Sequence, residues 1–462
     1  MYGRIGGCQT NHPATQYGSS AFHWKAFVGR WGCGARDNML RVSRATAALF
    51  GDRFATVRRV REDDGRWDRL QPVLSLYAAH GGFDVALFLL VFFLIYGGFH
   101  FYFFLKVRAA FAPGAAGQVI LVAFLILAMM APIIVRISER YGFETLARIM
   151  SWVGYVWMAV LLLFFSVSLL VDLYRLLIHI STLLFGTGVG AWIPAARTAF
   201  FLPVAIALAM VLYGSFEALN VRTEKLEIRS AKIPKSLERI RIVQISDVHV
   251  GVLIQGKRLA RILRKVREAE PDLLVSTGDL VDGQIDSMAG AAAQLRAILP
   301  RYGKFAVTGN HEFYAGIDEA LDFTEKAGFT VLRGGVATIA GAIDLAGVDD
   351  PGMHGPGLEG RSPDREVLAR ANPGHFTILL KHQPRIEQDG SGAFDLQLSG
   401  HTHRGQIFPF SLITRLVFPF HSGNYRLADG ALLHVSRGTG TWGPPVRFLS
   451  PPEITVIDLM PE

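Results

Sequence analysis

The stretch IRIVQISDVH, residues 240–249, places a short apolar run directly before an aspartate and a histidine. A run of this length followed by polar side chains is typical of a buried β-strand. The arrangement recurs in LLVSTGDL, residues 273–280, where a second apolar run precedes Asp279. Because ligands of α/β sheets gather beyond the carboxyl ends of the strands, Asp247, His249 and Asp279 are candidate site residues.

Further strands are predicted at residues 305–307, 377–380 and 395–398, and a basic amphipathic helix at residues 257–269. Strands that alternate with helices indicate an α/β domain, which we place at residues 240–462. Residues 241–462 carry 22 basic and 25 acidic side chains, and they lack a strip of basic and aromatic residues. No specific binding of nucleic acid is therefore expected.

Three later motifs also follow predicted strands: Gly309-Asn310-His311-Glu312, Lys381-His382-Gln383-Pro384 and Ser399-Gly400-His401-Thr402-His403. Asp-x-His and His-x-His place two side chains on the same side of an extended segment, so both can reach one ion. Carboxylates, imidazoles and an amide oxygen suit Mn, Fe or Zn better than Cu(I) or Ca. A carboxylate such as Asp279 can also bridge two ions that lie about 3.5–4 Å apart.

The five motifs, in this order, resemble the calcineurin-like metallophosphoesterase superfamily, and in particular its membrane-anchored bacterial branch. The resemblance covers about residues 240–460. It implies a four-layer α/β/β/α domain that hydrolyses phosphate mono- or diesters. The chain departs from that branch at Arg404, where a glycine usually follows His-Thr-His, so Arg404 is a candidate contact for a substrate phosphate.

The resemblance also implies a ligand set for two divalent ions, Mn, Fe or Zn, with a water or hydroxide between them that attacks the phosphorus in line. One ion would be bound by Asp247, His249, Asp279 and His403, and the other by Asp279, Asn310, His382 and His401. His311 would be the general acid for the leaving group and not a ligand. Glu312 is expected to support its neighbours, and Asp282 to be an ordinary polar residue of a loop.

The N-terminal half has a different character, with a net charge of +11 over residues 1–240. Residues 1–82 have no apolar periodicity and are expected to be a poorly ordered tail. Residues 83–217 are predicted to be an all-α transmembrane anchor, with spans at about 84–105, 115–135, 150–172 and 198–217. Residues 176–196 are uncharged but contain a proline and several glycines, which favours an interfacial loop over a fifth span. Residues 218–239 are charged and are expected to be a linker.

Four spans put both ends of the anchor on one side of the membrane, and basic residues mark the cytoplasmic side. Ten lie on the side of the α/β domain: Arg66, Arg69, Arg136, Arg140, Arg148, Arg222, Lys225, Arg229, Lys232 and Lys235. Four lie on the other side: Lys106, Arg108, Arg175 and Arg197. We therefore predict a multi-pass protein of the bacterial inner (cytoplasmic) membrane with a cytoplasmic catalytic domain.

The anchor is expected to hold the site near lipid head groups and to contribute none of its residues. The predicted partners are the bilayer and a phosphoester substrate, with lipid-linked phosphoesters and pyrophosphates as the class that membrane attachment favours. Two alternatives remain open from the sequence: a metal-binding membrane sensor or scaffold without turnover, and a nuclease of the same superfamily.

Overall fold

The computed structural model describes residues 83–283, 288–351, 363–387 and 392–462. The tail predicted for residues 1–82 lies outside the described residues. The described chain contains a helical bundle followed by two β-sheets with helices on their outer faces. The bundle helices are α1 (Phe83–Phe111), α2 (Ala115–Arg140), α3 (Glu144–Phe185) and α4 (Thr198–Leu219).

Within the described residues, four helices are long and apolar enough to cross a membrane. Each overlaps one of the four predicted spans, and their outer faces expose large apolar side chains such as Val119, Ile120 and Leu212. Such faces are stable in lipid and not in water. Small residues bring helices α2 and α3 together, since a Cβ on Gly154 would lie 2.3 Å from the Cβ of Ala131.

Helix α3 is longer than the sequence analysis expects. Its 42 residues span about 63 Å, roughly twice the thickness of a hydrocarbon core. Residues 176–185, predicted as part of an interfacial loop, continue this helix, and a 3₁₀ helix follows at Thr187–Trp192. The loop prediction is therefore wrong over residues 176–185, because a leucine-rich run without proline propagates the helix until Gly186 ends it.

The catalytic domain begins with β1 (Arg222–Ser230), β2 (Ile240–Ile245), α5 (Gly256–Glu268), β3 (Leu273–Ser276), α6 (Ala289–Arg296) and β4 (Lys304–Ala306). It continues with α7 (Asn310–Ala315), α8 (Ile317–Lys326), β5 (Thr330–Val331), β6 (Gly335–Ile339), β7 (Ile343–Gly347) and α9 (Pro363–Leu368). It ends with β8 (Phe376–Leu380), β9 (Leu396–Ser399), α10 (Phe410–Val417), β10 (Gly423–Arg426), β11 (Leu432–Val435) and β12 (Glu453–Pro461). The predicted strand at 240–245 coincides with β2. The domain itself begins with β1, before the predicted boundary at residue 240.

The described strands form two six-stranded sheets, ordered β1-β12-β2-β3-β4-β5 and β10-β11-β9-β8-β7-β6. Alternation along β2 shows how they pack. Ile240 and Ile242 join a core between the two sheets, whereas Val243 and Ile245 face helix α5. On the outer face of the second sheet, Leu379 packs with helix α9. This arrangement confirms the predicted four-layer α/β/β/α fold.

Strand β1 lies inside the segment that the sequence analysis expects to be a linker, residues 218–239. It pairs in parallel with β12 at the edge of the first sheet. Only one face of this edge strand is apolar, through Leu226 and Ile228, and the remaining positions are mostly charged. Its solvent-exposed side is charged, which gives the segment the composition of a linker. The linker prediction is therefore wrong over residues 222–230.

The last membrane helix packs directly against the catalytic domain. The backbone N–H of Arg447 donates a hydrogen bond of 2.9 Å to the carbonyl of Gly214 in helix α4. A Cβ on Gly214 would lie 2.6 Å from Cγ1 of Val446, so this close approach requires glycine. The bundle and the catalytic domain therefore share a packed interface.

Candidate metal centre

The predicted site residues lie together where strand ends of the two sheets meet. Asp247 and His249 follow β2, Asp279 follows β3, and Asn310 opens helix α7 after β4. From the second sheet, His382 follows β8, and His401 and His403 follow β9. Gln244 joins the two sheets beside the site, because its amide nitrogen donates to the carbonyl of Ser399 over 3.1 Å. The sheet edges thus bring distant motifs into one buried cluster.

One group of candidate ligands consists of Asp247, His249 and His403, whose ligand atoms lie within 4.8 Å of one another. The Nε2 atoms of His249 and His403 are 3.0 Å apart, and His403 Nε2 is 3.3 Å from Oδ1 of Asp247. All three side chains are buried. The donor atoms converge on a single point, as the ligands of one ion would.

A second group consists of Asp279, His382 and His401. His382 Nε2 lies 3.2 Å from Oδ2 of Asp279 and 3.1 Å from Nδ1 of His401. The same carboxylate oxygen of Asp279 lies 3.9 Å from His249 Nε2 in the first group. Asp279 therefore stands between the two groups.

The donor set fits divalent metal ions. His382 donates its Nδ1–H to the carbonyl of Thr277 over 2.8 Å, which turns Nε2 toward the cluster. Burial lowers the pKa of His249 and of His401 to about 3, so both imidazoles are neutral, the form that binds metal. The buried amide oxygen of Asn310 accepts no hydrogen bond among the described residues. A buried acceptor without a donor is costly unless a ligand completes it.

Backbone conformation at the cluster is unusual. Asp247, His249, Asp279, His401 and His403 all have left-handed φ angles, between 48° and 70°. Residues other than glycine rarely adopt this region, and the strain is concentrated at functional sites. These five residues are five of the seven predicted ligands. The strained backbone lowers the stability of the fold but directs these side chains into the cluster.

Glycines next to the ligands allow the loops to approach one another. A Cβ on Gly400 would lie 1.9 Å from Oγ of Ser246 and 2.2 Å from Oδ2 of Asp247. A Cβ on Gly278, where φ is +92°, would lie 2.7 Å from Nδ1 of His382. The glycines that precede Asp279 and His401 are thus required by space, and Gly278 also by its backbone angle.

His311 lies beside the cluster and is buried. Its Nδ1 is 3.0 Å from Oδ1 of Asp282, and its ring packs edge to face on His249 at 4.6 Å. Burial favours the neutral ring, but the nearby carboxylates of Asp279 and Asp282 outweigh it and raise the pKa of His311 above its usual value. Asp282, expected to be an ordinary loop residue, instead orients this histidine.

Asp282 also binds a membrane helix. Nη2 of Arg136, near the end of helix α2, donates to Oδ1 of Asp282 over 3.1 Å. A membrane helix therefore contacts the carboxylate that faces His311, while all the predicted site residues lie in the catalytic domain. A cleft between helices α2 and α3 and the catalytic domain is lined by Arg136, Tyr155, His249 and Asp282, among other residues.

Glu312 supports the loop that carries Asp279, as the sequence analysis expects. Its carboxylate accepts backbone N–H groups from Gly309 at 2.6 Å, Leu280 at 2.8 Å and Asp279 at 3.0 Å. Burial, and then the charge of Asp279, raise the pKa of Glu312 to about 7. These hydrogen bonds fix the end of β3 against the start of helix α7.

Arg447 is a supporting residue that the sequence analysis missed. Its side chain is fully buried, and Nη1 donates to the carbonyl of His403 over 3.1 Å. Nη2 lies 3.0 Å from Nδ1 of His403, and Nε donates to the carbonyl of Gly440 over 3.0 Å. Burial lowers the pKa of Arg447 to about 9. No strand-end motif surrounds this arginine, so the sequence offers no local signal for its role.

Arg404 has a left-handed φ of 51° and a half-buried side chain directly after His403. Its charge acts on His421: burial, and then Arg404, lower the pKa of that histidine to about 4. On the same side of the site, the ring of Phe418 packs against His401 at 5.0 Å. Arg404 is therefore a cation at the rim of the cluster.

Known proteins are similar in sequence to the catalytic domain. The family described as calcineurin-like phosphoesterase matches residues 240–405, which include every predicted ligand. An "Uncharacterized metallophosphoesterase" of Aquifex aeolicus is 41% identical over 255 residues, covering 55% of this chain and 97% of that protein. The chain belongs to the calcineurin-like metallophosphoesterase family. A second metallophosphoesterase, from Helicobacter pylori, is 36% identical over 57% of this chain and 71% of its own length.

Membrane-bound members of the metallophosphoesterase family are also similar. The "Transmembrane protein with metallophosphoesterase domain" of Danio rerio is 34% identical over 270 residues, covering 56% of this chain and 62% of that protein. Together with the four apolar helices, this similarity identifies a membrane protein. The family and the buried His/Asp clusters identify a metal-dependent phosphoesterase.

Proposed function

We propose that this metallophosphoesterase hydrolyses phosphate mono- or diesters at a centre of two divalent metal ions, Mn, Fe or Zn. The observation that carries the proposal is the place of Asp279. Its Oδ2 atom is 3.2 Å from His382 Nε2 in one cluster and 3.9 Å from His249 Nε2 in the other. A carboxylate shared by two groups of imidazoles is suited to bridge two ions.

In this proposal, Asp247, His249, Asp279 and His403 hold one ion, and Asp279, Asn310, His382 and His401 hold the other. Bound there, the ions polarise the phosphoryl group and activate water near neutral pH. The protein contributes fixed geometry. Glu312 holds the backbone of Asp279, and Arg447 holds His403, so the ligands need little rearrangement when they bind.

His311 is proposed to protonate the leaving group. During hydrolysis, the attacking water loses a proton to solvent and its oxygen forms a new bond to phosphorus while the ester P–O bond breaks. The leaving oxygen takes a proton from His311, which is then re-protonated from solvent. Asp282 faces Nδ1 of this ring, so Nε2 is the nitrogen available to the substrate. The Asp282 carboxylate also stabilises the protonated ring before transfer. Arg404, at the rim, is proposed to bind a phosphate oxygen of the substrate.

We further propose that the substrate is a lipid-linked phosphoester or pyrophosphate. The cleft beside His249 and Asp282 is walled on one side by Arg136 and Tyr155 of membrane helices α2 and α3. A lipid head group held in the bilayer would meet the site from this direction, and anchoring would raise its local concentration.

The proposal is tested with the full chain in lipid nanodiscs. We expect hydrolysis of bis(p-nitrophenyl) phosphate or p-nitrophenyl phosphate that is lost on chelation and restored by Mn²⁺, Fe²⁺ or Zn²⁺. A lipid-linked pyrophosphate and a single-stranded DNA in the same panel separate lipid hydrolase from nuclease. Protein that is folded and loaded with metal but hydrolyses none of these would contradict the proposal and favour a sensor or scaffold.

The catalytic domain is proposed to lie in the cytoplasm of a bacterium, at the inner membrane. Ten Lys and Arg residues lie near the membrane ends on the side of this domain, against four on the other side. Basic residues are retained on the cytoplasmic side during insertion. A reporter fused after Glu462 should be active as a cytoplasmic enzyme and inactive as an alkaline phosphatase that requires export. The opposite pattern of reporter activity would overturn this orientation.

A further inference from the structure

Helix α10, Phe410–Val417, presents an apolar face that no described residue covers. Leu412, Ile413, Leu416 and Val417 are each between 44% and 57% exposed, while Thr414 on the opposite face is buried. Their spacing places all four on one side of the helix. Such a contiguous apolar patch is rare on surfaces that meet water and marks a site of interaction.

The start of helix α10 lies against the membrane bundle. Ile407, three residues before the helix, is buried in one cluster with Val211 of helix α4 and with Val446. Ile407 also forms a β-bridge with Phe448, whose ring contacts that of Tyr213 on helix α4 at 5.9 Å. Helix α10 therefore begins at the membrane span that leads into the catalytic domain.

The end of helix α10 lies at the metal centre, where Phe418 packs on His401 at 5.0 Å. The eight residues of the helix cover about 12 Å between these two ends. Exposed apolar side chains continue the patch around its start, at Phe408, Phe410 and Leu449. Tyr213, which Phe448 contacts, is itself half exposed on the membrane helix.

We infer that helix α10 lies in the head-group region of the bilayer, on the side of the catalytic domain, with Leu412, Ile413, Leu416 and Val417 inserted among the lipids. The patch is continuous with a membrane span, so the occupant nearest to it is lipid. The exposed cation of Arg415 and the half-buried cation of Arg404 suit the phosphates of anionic lipids. A short amphipathic helix of this kind is stable at an interface when a span holds it there.

This inference goes beyond the proposed hydrolysis and does not depend on it, because it rests on the membrane helices and the exposed face alone. It has a consequence for where the metal centre lies relative to the membrane. The helix would hold the rim of the metal centre at the level of lipid head groups, about 12 Å or less from the patch that enters the bilayer. Phosphoesters of membrane lipids would then reach the site without leaving the bilayer.

The test uses the full chain in nanodiscs of phosphatidylcholine and phosphatidylglycerol. An environment-sensitive fluorophore is attached at Ile413→Cys, and separately at Leu416→Cys, in a background with Cys8→Ser and Cys33→Ser. The matched control is Leu299→Cys, an exposed leucine that precedes strand β4, at the edge of the sheet opposite the metal centre. Equal thermal unfolding of the labelled proteins establishes that they are folded.

We expect doxyl-labelled phosphatidylcholine to quench the probes at positions 413 and 416, and aqueous iodide to leave them largely unquenched. The probe at position 299 should show the reverse. Quenching by iodide at 413 and 416 to the extent seen at 299 would overturn the inference, because the face would then be open to water. Protection from both quenchers would also overturn it, since a second copy of the chain or another protein would then cover the face.

Discussion

Replacing Asp279 by asparagine is expected to abolish hydrolysis and to remove most of the bound metal at once. The substitution preserves the shape of the side chain but removes the charge that the two ligand clusters share. Loss of metal forfeits several kcal/mol of stabilisation of the transition state, which corresponds to a rate lower by about 10³-fold or more. Hydrolysis of bis(p-nitrophenyl) phosphate and metal analysis of the same preparation measure both effects.

The matched control is Asp344→Asn. Asp344, on strand β7, is a buried carboxylate away from the metal centre. It pairs with His375 over 3.0 Å. Its replacement should lower stability and leave metal content per folded chain unchanged. An Asp279→Asn protein that retains both ions and its full rate would show that this carboxylate does not bridge the centre.

Replacing His311 by alanine is expected to preserve metal content and to slow hydrolysis of substrates with poor leaving groups by about 10²-fold or more. The loss should shrink for p-nitrophenyl esters, because p-nitrophenolate leaves without a proton. This difference between leaving groups is the signature of a general acid. Rates for a series of aryl and alkyl phosphodiesters measure it.

His375→Ala is the control for this substitution, since His375 makes the same contact as His311, an Nδ1 to carboxylate distance of 3.0 Å. It should leave the rate unchanged for every ester. If His311→Ala lost the same factor for good and poor leaving groups, the general-acid role would fail. Loss of metal in His311→Ala would instead place this histidine among the ligands.

The strands and the ligand clusters could be predicted from the sequence because their signals are local. The apolar run of residues 240–245 and the polar residues after it are adjacent in the chain, and β2 begins and ends where this pattern does. Asp279 is similarly fixed by the end of β3. Parallel strands then bring these ends to one edge of a sheet, so a list of strand-end motifs becomes a cluster in space.

The residues that support the cluster could not be predicted in this way, because they act across long distances in the chain. Arg136 lies on a membrane helix, 146 residues before the Asp282 that it contacts. Arg447 reaches His403 from a loop with no recognisable motif. The Arg136 contact depends on how the bundle docks onto the catalytic domain, and the Arg447 contact depends on how two loops of that domain pack together. Hydrophobic patterns within one segment carry no information about either.

The sequence analysis also missed one edge strand and the full length of one membrane helix. Strand β1 was not predicted because its outer face is charged. Its partner β12 also lies more than 200 positions away in the sequence. The continuation of helix α3 beyond residue 176 was missed because the glycines and the proline that favoured a loop all lie after residue 185, where the helix ends.

The most direct test of the account is the number of divalent ions per chain in active protein. The full chain, freed of metal in nanodiscs, is titrated with Mn²⁺ while bound metal and hydrolysis of bis(p-nitrophenyl) phosphate are measured together. A bridged centre predicts that hydrolysis reaches its maximum at about two ions per chain. Full hydrolysis with only one ion bound at saturation would contradict it.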